Sequence, residues 1–214
     1  MTGRSWDSPL LGDESPEEKK QVLANLFQGH RDRLEAMVRL RLDPRLRPRL
    51  STSDVLQESY LEAQKRLDEY LASAPMPIYL WLRRVTALKL IELERHHLGA
   101  QKRAAGKEVP IDRLALPNAT SEGIALSLLG RGPSPSEEAA QVELKAALEA
   151  AFERMDPMDR EVIALRHFER LTAPETAEVL GIKEEAAQKR YLRALKKMRA
   201  ILATVPGILW EFDA

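Results

Sequence analysis

Apolar residues recur along this chain at spacings of three and four, and no stretch shows the two-residue alternation of a strand. The first such series is Leu23, Leu26, Phe27, His30, Leu34, Met37, Val38 and Leu42, which Pro44 and Pro48 close. Ser15-Pro16-Glu17-Glu18 opens it: Ser is a cap, Pro is tolerated in the first turn, and Glu18 completes a capping box. Ser51-Thr-Ser-Asp54 starts a second helix with Leu56, Tyr60, Ala63 and Leu67 on its buried face, and a loop follows over Ala72–Pro77. From Ile78 to Leu82 the chain is apolar nearly all round, which predicts a helix central to its domain. Its second half turns basic, and Gly99 is expected to end it.

Residues 100–135 are punctuated by Gly106, Pro110, Pro117, Gly123, Gly130, Gly132, Pro133 and Pro135. They predict a linker, in which Ile124–Leu129 is apolar enough for one short docked helix. Ser136 then starts a helix carrying Val142, Leu144, Leu148, Phe152 and Met155, and Asp156-Pro157 caps another with Val162, Ile163, Leu165 and Phe168. Thr172 and Glu175 form a second capping box, opening a helix pair that turns at Gly181. Ala177 is small where the pair would cross, and Leu180 and Ile182 flank the turn. The chain closes on an apolar tail, Pro206-Gly-Ile-Leu-Trp-Glu-Phe212. The pattern thus predicts an all-α protein of two small helical domains, 16–98 and 136–204. A disordered arm (1–15) precedes them, a flexible linker (99–135) joins them, and the tail (205–214) follows.

Charge sharpens this picture. Lys and Arg number 33 and so do Asp and Glu, but the two signs are segregated. Arg31–Arg49 holds seven Arg against three acids, and Lys183–Arg199 seven cations against two Glu. Asp54–Glu69 holds five acids against two bases. Patches of both signs suit one anionic partner and one protein partner. A helix pair with a basic second helix is how a small domain reaches bases in the major groove. The absence of Cys excludes disulfides and thiolate metal sites and fits a reducing compartment. No run approaches the ~18 apolar residues of a membrane span, and residues 1–14 lack the apolar core of a signal peptide. The reading is cytoplasmic, with no membrane association.

Neither catalytic carboxylate pairs nor a Gly-rich phosphate loop stand out, so an enzyme is not expected. Glu92 and His96 have a metal-ligand spacing, but nothing nearby completes a site, and neither metal nor cofactor is expected.

Three stretches in order resemble the bacterial RNA polymerase sigma factors of the extracytoplasmic-function type. Ser53-Asp-Val-Leu-Gln-Glu-Ser-Tyr-Leu-Glu-Ala-Gln-Lys-Arg-Leu67 is similar to that family's Asp-x-x-Gln-Glu helix. Trp81-Leu-Arg-Arg-Val-Thr-Ala-Leu-Lys-Leu-Ile-Glu92 is similar to its promoter-opening helix. Asp156-Pro-Met-Asp-Arg-Glu-Val-Ile-Ala-Leu165, with the helix pair, resembles region 4. The resemblance spans roughly residues 20–103 and 137–202. Leu88, His96, Lys183 and Gln188 depart from the family's usual residues, and Lys183 is a poor helix cap.

The resemblance implies a region 2-like and a region 4-like domain, core RNA polymerase and promoter DNA as partners, room for an anti-sigma factor, and a monomer when free. It assigns Asp54, Gln57, Glu58 and Glu62 to the polymerase clamp, against the plain reading of a solvated acidic face. It assigns Tyr79 and Trp81 to an extruded base of the −10 element, against burial in the core. Arg83, Arg84, Lys89 and Arg95 would hold phosphates, although Arg83 and Arg84 point differently and one could face a carboxylate. For the −35 element it offers Gln188, Lys189, Arg190, Leu192, Arg193 and Lys196, with Arg190 off the main groove-facing set. Two other readings remain at this point. One is a helix-turn-helix regulator acting as a homodimer without polymerase. The other is a helical adaptor or anti-sigma-type protein whose basic helix meets protein.

Overall fold

The structure is a computed structural model that describes residues 15–73, 76–102, 118–129 and 138–205. Residues 1–14 of the expected arm (1–15), 206–214 of the expected tail (205–214) and most of the expected linker lie outside these. Among the described residues every regular element is helical. The helices are α1 (Pro16–Gly29), α2 (Arg31–Arg41), α3 (Thr52–Ser73), α4 (Ile78–Lys102), α5 (Ser121–Leu129), α6 (Glu138–Glu153), α7 (Pro157–Ile163), α8 (Ala173–Leu180) and α9 (Glu184–Leu202). The chain forms two compact units: Met1–Val38 with Arg45–Leu116, and Arg39–Pro44 with Pro117–Ala214.

In the first unit α1 starts on the expected capping box. The Glu18 N–H donates to Ser15 Oγ, and the Ser15 N–H donates to Glu18 Oε2 at 2.8 Å. The apolar series after Ser15 is interrupted: α1 stops at Gly29 and α2 begins after His30, whose N–H closes back on Leu26. Two shorter helices therefore bury Leu23 and Phe27, then Leu34, Met37 and Val38. Ser51 and Asp54 cap α3 reciprocally, N–H to carboxylate at 2.9 Å and N–H to hydroxyl at 3.1 Å. Ile78, Tyr79, Leu80, Trp81 and Leu82 of α4 are all buried, as a helix apolar on every side requires. Phe27 meets Tyr60 edge-on at 5.3 Å, and Tyr70 stacks on Trp81 at 4.5 Å. Gly99 does not end α4, which runs on to Lys102.

In the second unit the docked helix inside the 100–135 interval is α5. Ile124, Ala125 and Leu128 enter a core with Leu148, Phe152, Met155, Ile163, Ala194 and Met198. Leu40, from the last turn of α2, belongs to the same core. The Leu40 carbonyl accepts the Thr120 N–H at 2.9 Å and its hydroxyl at 3.2 Å. Next to it, Arg41 is wholly buried and paired with two carboxylates, Glu161 and Glu169 (2.6 Å for the latter). Burial works to lower the Arg41 pKa, but the two carboxylates outweigh it and hold the group firmly charged. Glu161 also accepts the Ala119 N–H at 2.8 Å, so its lone pairs are shared between two partners.

The helix expected from Asp156 to Phe168 divides. Asp156 caps α7 through Met158 N–H at 2.9 Å, but after Ile163 the chain widens into a π turn, Ala164–Phe168. The turn closes with the Glu169 N–H on Ala164. Arg160 donates to the Phe152 and Met155 carbonyls at 2.9 and 3.0 Å, tying α7 to the end of α6 and the turn after it. The helix pair α8–α9 follows as read. Thr172 and Glu175 form the capping box, and Gly181 is left-handed at φ 63. There the Ile182 N–H closes on Ala177.

Candidate nucleic-acid interface

Helix α9 offers three distinct sides. Ala187, Ala194, Met198 and Leu202 are buried in the second unit's core. Arg190 and Lys197, seven residues apart and so nearly in line along the helix, both reach Asp159 of α7, at 3.6 and 2.5 Å. Gln188, Lys189, Leu192, Arg193 and Lys196 are exposed. Lys183 makes no side-chain cap, and Glu184 and Glu185 in the first turn complement the positive end of the helix dipole. Arg166 lies over the half-buried Tyr191 ring at 5.1 Å. Of the six side chains expected at the −35 element, five thus share the open side of α9. Arg190 does not, because Asp159 draws it toward α7.

The candidates on α4 are not brought together in this way. Tyr79 and Trp81 are 3% and 8% exposed, and neither ring offers an open face. Trp81 is stacked on Tyr70; Tyr79 is covered by Arg33 at 3.4 Å and lies 5.1 Å from His30. Both rings are thus packed inside the first unit. Arg83 is 2% exposed, so it cannot touch a phosphate as it stands, whereas its neighbour Arg84 is exposed. Arg95 is exposed, and Lys89 is tied to Glu92 at 2.7 Å with little of its side chain in solvent.

On α3, Asp54, Gln57 and Glu58 are exposed, while Glu62 is half-buried. The Arg66 guanidinium donates to Glu62 at 2.6 Å and lowers its pKa, with Lys65 adding at 3.6 Å. The Ser51 hydroxyl and N–H lower the Asp54 pKa in the same sense, so Asp54 already serves as a capping group. Beside this face runs an open groove of about 450 Å³ between α1 and α3, lined by Ala24, Phe27, Leu56 and Tyr60, with Gln28 and Gln57 among its polar residues. Sequence reasoning missed it. Phe27 and Tyr60 each read as core, and only the pairing of α1 with α3 puts them on one wall. Among the described residues no group of three or more His, Asp or Glu is placed to hold a metal ion, and no helix is long and apolar enough to cross a membrane.

Residues 145–198 match the family model for sigma-70, region 4. This stretch takes in α7, α8 and nearly all of α9. The chain is 29% identical over 156 residues to RNA polymerase sigma factor CnrH of Cupriavidus metallidurans, an alignment covering 72% of this chain and 75% of CnrH. It is 26% identical over 159 residues to RNA polymerase sigma factor NccH of Alcaligenes xylosoxydans xylosoxydans, with the same two coverages. A solved structure of CnrH in complex with the cytosolic domain of CnrY superposes with a TM-score of 0.50 at 21% identity, over 88% of this chain and 94% of that one, and shares the fold. With a sigma-70 region 4 match over a helix pair that presents an open basic side, and two RNA polymerase sigma factors aligned across most of its length, the chain is similar to RNA polymerase sigma factors in both sequence and fold.

Proposed function

We propose that this chain is a transcription initiation factor that binds core RNA polymerase and directs it to particular promoters. The observation that carries the reading is the open side of α9. Four polar or cationic side chains and one leucine face outward, on a helix whose other sides are fixed by the core and by Asp159. Cations on that side would set register on the phosphates, and Gln188 would read a base edge of the −35 element.

The first unit supplies the other half. The exposed Asp54, Gln57 and Glu58 would meet a basic surface of the polymerase clamp, where charge sets encounter rate and register more than affinity. The groove beside Gln57 extends that face with apolar area. For the −10 element, Arg84 and Arg95 are the phosphate contacts, with Lys89 available once it leaves Glu92. Tyr79, Trp81 and Arg83 serve the packing of α4, and a base pocket there would need α4 to repack. The factor forms and breaks no covalent bond; the polymerase does the chemistry. CnrH is seen with the cytosolic domain of CnrY, and an inhibitory protein partner is the corresponding expectation here.

In vitro transcription tests this reading. Purified chain, core polymerase and a randomised promoter library should yield transcripts from promoters that share −35 and −10 elements, and none without the chain. A stable homodimer that binds a duplex operator tightly, with no transcripts when core is added, would establish the regulator reading instead.

A further inference from the structure

We infer that Leu192 reads the 5-methyl group of a thymine within the −35 element, an assignment that rests on the promoter-reading role of α9 proposed above. Two sides of α9 are committed. Ala187, Ala194, Met198 and Leu202 lie in the core, and Arg190 and Lys197 are held by Asp159. At about 100° per residue, Lys189, Leu192 and Lys196 fall within about 60° of one another in the sector that remains. Leu192 is 50% exposed there. Gln188 and Lys189 stand one turn before it and Lys196 one turn after, while Leu195, also one turn after, packs against the core.

The other large apolar side chains exposed among the described residues, such as Leu61 and Val142, lie on other elements. An aliphatic side chain amid cations has nothing to offer a phosphate, since it donates no hydrogen bond and carries no charge. The thymine methyl is the one apolar group on the major-groove edge of a base pair, and contact with it is a recognised means of discrimination. The flanking Lys189 and Lys196 would hold the backbone while Leu192, between them, loses its water against the base edge.

The test uses holoenzyme reconstituted from the full chain and core polymerase, on a promoter that the wild-type protein selects. Each −35 thymine, on either strand, is replaced in turn by deoxyuridine, which removes the methyl and leaves the pairing intact. Open-complex formation is read at limiting holoenzyme. One such replacement should cost the wild type about four-fold, the worth of one buried methyl-sized group. Leu192→Ala should lose a similar factor on the thymine promoter, with no further loss on deoxyuridine at that position. Leu192→Met should retain most of the sensitivity. Indifference of the wild type to every deoxyuridine, or an undiminished penalty in Leu192→Ala, overturns the assignment and leaves the promoter-reading role standing. A wild-type holoenzyme that does not distinguish −35 variants at all overturns both.

Discussion

Gly123 of α5 lies directly against the backbone of Leu40: a Cβ at position 123 would sit 2.5 Å from the Leu40 carbonyl oxygen and 2.8 Å from its carbonyl carbon. Alanine would normally improve a helix interior by up to about 1 kcal/mol. Here the obstacle is backbone, which no rotamer change can clear. Gly123→Ala should therefore destabilise the protein, by about 1–3 kcal/mol if the clash behaves as ordinary overpacking. Urea unfolding measures this, and an unchanged midpoint would show that α5 can move off Leu40 freely.

Arg41→Met should cost more. It leaves the buried Glu161 and Glu169 without their cation, and breaking a buried pair in this way costs about 3–5 kcal/mol. Adding Glu161→Gln and Glu169→Gln removes the stranded charges and should recover part of the loss. A triple variant no better than Arg41→Met would mean that lost packing, not stranded charge, is the cause.

Asp159→Asn should alter DNA binding without touching the open side of α9. Asp159 neutralises Arg190 and Lys197; freed, each can reach a phosphate. Non-specific DNA affinity should rise, and the dependence of log K on log salt should steepen by up to about two units, one per new contact. A salt titration on random-sequence duplex reads this directly, and an unchanged slope would mean the two cations do not reach the backbone.

Core binding is best tested at Gln57 and Glu58. Asp54 caps α3 through Ser51, so changing it confounds helix loss with interface loss. Gln57→Arg with Glu58→Arg should abolish co-purification with core polymerase while the melting temperature stays near wild type. Retained binding would remove this face from the interface.

Stability should fall on mild acidification. Burial, aided by the nearby Arg170, lowers the His167 pKa below the usual imidazole value. The unfolded chain therefore takes up this proton first. The contribution of neutral His167 is full above its unfolded pKa of about 6.5 and is lost as pH falls through the lowered folded value. The melting temperature should drop between pH 7 and pH 5, and His167→Gln should flatten that drop. An equal drop in the variant would assign it to other groups.

Local chemistry was legible in the sequence. Both capping boxes, the left-handed Gly181, the buried start of α4 and the docked helix after Gly123 each depend on residues within a few positions of one another. The open side of α9 could be counted from helical periodicity for the same reason. Contacts that local spacing does not encode have remote partners. Arg190 turns to Asp159, Tyr79 is covered by Arg33, and Arg41 finds Glu161 120 residues on. The division of the first apolar series at His30 and the π turn after Ile163 left no signal in hydrophobic spacing, because both keep the same residues facing inward on either side of the break.

The separation between Arg41 and Glu161 has a consequence for how the molecule is made. During synthesis the last turn of α2 leaves the ribosome long before α7 exists, so Leu40 and Arg41 wait, without their core, until most of the chain has emerged. The closing contact is non-local, and such contacts form late because the entropy of bringing distant segments together precedes any reward. A fragment that starts after Pro44 lacks the guanidinium that neutralises Glu161 and Glu169, and a fragment that stops before α7 has nowhere to put it. The carboxy-terminal unit therefore has no single continuous stretch of chain that encodes it. Cutting the gene at the linker should separate that unit from a piece of its own core.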